Sequence, residues 1–482
     1  MKIYKKNFLV PAVLMVFLEA DPAWGHAFGA RYDLPLPLWL ILIGAATAVV
    51  LSFCIMALFL KHNGEVEEAL TFNLLKLPGF RWLSLEFFLN CARVFSVSIF
   101  LLVIFTGLFG NPATLKNFSP TFVWVIWWNG MAFASALIGN LWSLVNPWKI
   151  IFVWFEKAMG GIGPFYIYPL KFSRWPAVFL FGVFAWLELI SGLGKEPLSL
   201  AWLIIAYSAL TWSGMILFGR QAWLRNADPF SAVFDLLARF APSVGNSGRW
   251  LLRLPAVGLL DKRPVTFSGI CFVLLLLTTV TFDGILETPM WAELMEWVSY
   301  SWSLSEISFI TQISYFDPID ISKVIALIIL PCIFIMVYMA FCYAIAAFGG
   351  GYISTLDVAG YFVLSLVPIA IAYHLSHYLS YMMITGQNII PLLSDPFGIG
   401  WDLFGTINYR VDISIISAKQ VWYLGVAAIV IGHVIAVYVA HIMAIRVFAE
   451  RLAALKSQIP MLVLMIGYTM VSLWVLSQPI VD

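Results

Sequence analysis

The chain has 482 residues, 62% of them hydrophobic and only 11% charged, with a mean hydropathy of +0.93. A soluble domain carries roughly 25% charged residues, so composition excludes an ordinary water-soluble enzyme. The net charge of +1 says nothing about nucleic acid, but no basic stretch reads as a phosphate-binding patch, so nucleic acid is not an expected partner.

The chain opens MKIYKK, continues with the apolar NFLVPAVLMVFL and reaches small residues at Ala23 and Gly25. A basic start, a short apolar core and a small-residue site predict a signal peptide over residues 1–25. Cleavage after Gly25 would leave His26 as the mature N-terminus, whose α-amine and imidazole can chelate copper as a brace. A retained signal-anchor is the alternative.

Residues 26–482 read as one all-α domain, a polytopic transmembrane helix bundle. About ten apolar stretches are candidate spans: 37–60, 87–109, 121–145, 176–193, 199–219, 265–283, 322–348, 359–384, 420–446 and 459–478. Each approaches the ~20 residues that cross a bilayer as a helix. Many of the 21 Trp and 39 Phe lie near the ends of these runs, as interfacial belts do.

The loops alternate in charge. One side holds Lys61, Lys76 and Arg81, then Lys149, Lys157, Lys171 and Arg174. It continues with a seven-cation stretch from Arg220 to Arg263 and ends with Arg446, Arg451 and Lys456. The other side holds only Arg31, Lys116, Lys195, Lys323, Arg410 and Lys419. The positive-inside rule then places the protein in a bacterial inner membrane with both mature termini outside. Outer loops are expected at 284–320 and 385–418, and amphipathic inner-face segments at 148–163 and 222–242.

Polar residues inside the spans are the candidates for function. Arg93 lies with Asn90 in the second span, Asn129 and Asn140 in the third, Glu188 in the fourth and Asp283 at the outer end of the sixth. Glu188 is a candidate partner for Arg93. Cys54, Cys91, Cys271, Cys332 and Cys342 all sit in apolar runs without a CxxC pair, which argues against a disulfide framework or thiolate zinc.

Four of the six histidines fall in two C-terminal spans. His374 and His377 share one helical face, being three residues apart. His433 stands at a matching depth in the next span, at 1.5 Å per residue, and His441 lies two turns nearer the inner side. Three imidazoles with an open position fit a divalent metal site of His374, His377 and His433, zinc or copper foremost. His26 and His441 are weaker candidates. Such an ion would activate bound water, and a carboxylate reaching the imidazoles would add to that case. Haem b held by two histidines is a further option, and interhelical hydrogen bonding is the plain alternative. Asp395 and Asp402, in the loop SDPFGIGWDLFGT, are candidate supporting carboxylates or turn formers.

Four stretches together, HAFGARYDLPLPLWL (26–40), GNLWSLVNPWK (139–149), YHLSHYLSYMM (373–383) and SDPFGIGWDLFGT (394–406), carry a resemblance. The chain resembles the bacterial multi-span membrane proteins known as fenitrothion hydrolases. That resemblance implies hydrolysis of an organophosphate triester, a small apolar substrate able to partition from the surrounding lipid. Three readings stay open: a metal-centred hydrolase, a transporter or metal-handling permease using the histidines as an ion or proton path, and a haem- or copper-binding redox subunit. Whether a partner subunit exists stays open as well.

Overall fold

The computed structural model describes residues 36–59, 71–161, 163–246, 248–303, 318–448 and 450–478. The signal segment and His26 lie outside the described residues. The fold is all-α, as expected of a chain whose backbone must satisfy itself in lipid. The main helices in chain order are α1 (Leu38–Phe59), α2 (Glu86–Phe109), α3 (118–137), α4 (Pro147–Ala158), α5 (Trp175–Leu189), α6 (Pro197–Phe218) and α7 (Arg220–Asn226). They continue with α8 (Pro229–Ala238), α9 (Phe267–Leu286), α10 (Pro289–Ser303), α11 (Pro318–Phe348), α12 (Val367–Ile384), α13 (Ala418–Val447) and α14 (Arg451–Ser477). A small antiparallel sheet also forms, which the apolar patterning did not signal. Arg249–Leu252 pairs with both Phe72–Asn73 and Ser243–Asn246.

Among the described residues, eight helices are long and apolar enough to cross a membrane, rather than ten. α5 has 15 residues, only about 22 Å of helix, against about 30 Å of hydrocarbon. α3 stops at Leu137, and its middle, Phe122–Asn129, is a π-helix. Part of the expected outer loop 284–320 is the helix α10.

α9 is the central pillar. Sixteen of its twenty residues are buried, and it packs on α5, α11 and α12. α12 continues from the helix Thr355–Phe362 through a single 3-10 turn, Val363–Leu366. It then runs against α13 at very short range. A Cβ built on Gly432 would stand 2.4 Å from the Ala372 Cβ and 2.8 Å from the Pro368 carbonyl oxygen. The Ser376 hydroxyl donates to the Gly425 carbonyl at 3.1 Å. Small residues let two backbones approach in this way where lipid offers no hydrophobic drive.

The segment 222–242, expected to be amphipathic, packs its apolar face against other helices. Its second half, α8, enters the bundle beside α3 and α5. The PFSAVFDLLA sequence is apolar except for Ser231 and Asp235, one turn apart. Phe230 and Phe234 insert among Trp127, Trp142 and Phe184, with ring centroids 4.8 to 6.0 Å apart. Asp228 caps the helix, accepting from the Phe230 amide at 3.1 Å, the Ser231 hydroxyl at 2.7 Å and the Tyr207 hydroxyl at 2.7 Å.

Candidate functional site

Pro368, Ala372 and Ser376 recur every four residues and form the stripe of α12 that meets α13. His374 lies two residues on from Ala372, about 200° around the helix at ~100° per residue. It therefore faces the other way, towards α3, α5 and α9. His377 also leaves the α13 contact.

His377 Nε2 is 2.9 Å from Asp283 Oδ2 of α9. The Tyr378 hydroxyl donates to the same oxygen at 2.5 Å. The side chains of His377 and Asp283 are only 14% and 19% exposed. One carboxylate oxygen thus gathers an imidazole and a phenol between two helices. The Tyr373 ring stacks on His377 at 6.2 Å and 3°.

His374 sits one turn away. Its ring is 4.7 Å from Tyr378, 5.5 Å from Phe133 and 6.5 Å from Trp128. Its Nε2 is shut off from solvent and meets no protein partner among the described residues. It borders a small cavity that also touches Glu188 of α5 and Tyr378. The cavity holds about 20 Å³, enough for a water molecule. Trp128 and Glu188 both line this cavity. Trp128 is delivered by the π-helix, a rare geometry that recurs at functional sites. The Asn129 side chain donates to the Trp124 carbonyl at 3.0 Å and closes that wide turn.

The expected Arg93–Glu188 pair does not form. Arg93 bonds Asn90 at 2.8 Å and lies near Lys149, whereas Glu188 belongs to the histidine cavity.

His433 is placed elsewhere. It lies one residue, about 100°, beyond Gly432 on the α13 wheel, so it turns from α12 towards α14. Its Nδ1 donates to the Ile429 carbonyl at 2.8 Å, and its ring packs 6.1 Å from Tyr468. His441 also turns to α14, with Nδ1 2.7 Å from Gln458 Oε1. It makes an interhelical hydrogen bond. Equal depth was satisfied, but azimuth separates His433 from His374 and His377. Among the described residues no group of three His, Cys, Asp or Glu side chains is arranged to hold a metal ion.

Asp395 accepts from the Ile399 and Gly400 amides at 3.1 and 2.6 Å. Asp402 accepts from the Ile407 amide at 3.2 Å. Both carboxylates build their own loop. What sequence reasoning missed is the partnership of Asp283 and Glu188 with the histidines. The signal was present, since both are acids in apolar runs, but nothing in the spacing says which helices adjoin.

No family model, curated protein or solved structure matches the chain.

Proposed function

We propose that this multi-pass membrane protein handles protons within the bilayer, through Glu188, Asp283, His374, His377 and Tyr378. The observation that carries this reading is the pairing of His377 and Tyr378 on one partly buried carboxylate, beside a water-sized cavity shared by His374 and Glu188. Two acids and two imidazoles on three helices are costly in lipid, and such clusters serve proton relays. Imidazole exchanges protons near neutral pH. A water in the cavity would connect Glu188 to His374, and Tyr378 stands between His374, which its ring contacts at 4.7 Å, and Asp283, which its hydroxyl bonds. The protein fits a proton-coupled transporter, set in the bacterial cytoplasmic membrane with its basic loops inward and its termini outward.

A second reading keeps the hydrolysis that the sequence resemblance implies. The His377–Asp283 pair has the carboxylate–imidazole pattern of a general base. The cavity, however, is far smaller than an aryl phosphotriester, which favours proton handling over hydrolysis.

Infrared difference spectroscopy after a pH jump, on protein in liposomes, tests the proposal. A protonated-carboxyl band should appear and vanish with pH, and Glu188→Gln should remove it. Proteoliposomes under an imposed potential should show proton flux that His374→Ala abolishes. A silent carboxyl region together with flux equal to that of empty liposomes would overturn the reading. Stoichiometric zinc or copper in the purified protein, lost in His374→Ala, would replace it with a metal centre.

A further inference from the structure

α8 has a second face. Val233 and Leu237 border the histidine cavity, while Ser231 and Asp235, on the reverse side of the helix, border a larger pocket of about 580 Å³. That pocket is lined by Lys149, Arg174, Arg220, Arg225 and Arg239, against the single carboxylate of Asp235. The cations come from segments far apart in sequence, so the fold assembles the pocket.

Two of the five are already paired. Arg220 stands 3.6 Å from Glu156. Arg239 stands 4.0 Å from Asp235 and 3.3 Å from Asp261. Lys149 Nζ donates to the Ser143 carbonyl at 2.7 Å, which uses one of its three protons. Arg174 and Arg225 have no ion-pair partner among the described residues. The stretch GNLWSLVNPWK is explained here. Asn140 bonds Asp235 at 3.2 Å, and Asn146 caps α4 by accepting from the Lys149 amide at 3.0 Å, so the motif fixes where Lys149 stands.

Cations that only set membrane topology extend into water. These converge on one pocket, where their like charges sum to a strong local field. Burial, then the neighbouring charges of Arg220 and Arg93, pulls the Lys149 pKa down. Burial, then Arg239, does the same to Arg174, against the pull of Asp235. Crowding of this kind is relieved by a bound anion, and guanidinium forks match tetrahedral oxyanions.

We infer that this pocket binds an oxyanion of the phosphate or sulfate class, gripped by Arg174, Arg225 and Lys149. The occupant is a free anion or the headgroup of an anionic lipid, which share this chemistry.

The test uses the full chain in phosphatidylcholine nanodiscs, with thermal unfolding followed against inorganic phosphate and sulfate. Sodium chloride at matched ionic strength is the reference. Phosphate should raise the unfolding temperature beyond sodium chloride. Arg174→Gln or Arg225→Gln should each weaken the apparent affinity about tenfold, while Arg249→Gln, an exposed cation outside the pocket, should not. Stabilisation by phosphate in these nanodiscs identifies a free anion. Stabilisation that appears only with phosphatidylglycerol, and is lost in Arg225→Gln, identifies a lipid headgroup. Either result supports the site. If phosphate, sulfate and phosphatidylglycerol all act no more than sodium chloride, the inference fails. It fails equally if the pocket variants behave as Arg249→Gln does. Arg225 is exposed, so its variant should fold and keep the test decisive.

Discussion

Replacing Asp283 by Asn keeps the shape of the side chain and removes its charge. In the native protein one oxygen accepts from Tyr378 at 2.5 Å and sits 2.9 Å from His377 Nε2. Hydrogen bonds to a charged group are worth about 1.5–3 kcal/mol each. The amide oxygen of Asn has two lone pairs and can still accept from both partners, but as neutral bonds worth about 0.5–1.5 kcal/mol each, so the variant should lose about 2–3 kcal/mol. A double-mutant cycle with His377→Gln isolates the pair. Chemical unfolding in mixed micelles, followed by tryptophan fluorescence, gives the four stabilities. An imidazolium–carboxylate pair should show a coupling of about 1.5–3 kcal/mol. A neutral interhelical hydrogen bond in a membrane averages only about 0.6 kcal/mol. A coupling at or below that smaller value would refute the charged pair, and with it this pair's part in the proposed proton handling.

The helix crossing, the cap of α8 and the basic pocket give further expectations. Gly432→Ala forces its new methyl against Ala372 and Pro368 and should cost about 1–3 kcal/mol. Gly467→Ala meets nothing within 4 Å and should be neutral or stabilising by up to about 1 kcal/mol in the same unfolding assay. Asp228→Ala removes a helix cap and strands the Tyr207 hydroxyl, for a loss of about 3 kcal/mol. Adding Tyr207→Phe to that variant should cost little more. Lys149 has a folded-state pKa below its ordinary 10.5. Its charged form therefore works against the fold at neutral pH, and the penalty fades as pH rises through the lowered value towards 10.5. Lys149→Met should flatten that rise in unfolding temperature across the same window.

The apolar runs and their polar interruptions were legible in the sequence. They identified the helical membrane class and singled out His374, His377, Glu188 and Asp283 as residues that lipid tolerates poorly. Hydropathy marked 222–242 as amphipathic but could not say that its apolar face packs inside the bundle. The Trp and Phe rings that receive Phe230 and Phe234 come from other parts of the chain.

Rotation was the missing coordinate. Counting residues gives depth along a helix, and by depth His433 belonged with His374. Which way each ring points depends on how α12 and α13 seat against each other, and Gly432 lets them cross closely there. That crossing turns His374 and His377 towards α9, where Asp283, 94 residues distant in the chain, supplies the carboxylate. A one-dimensional pattern records what each helix must bury; only packing between helices decides which buried groups meet.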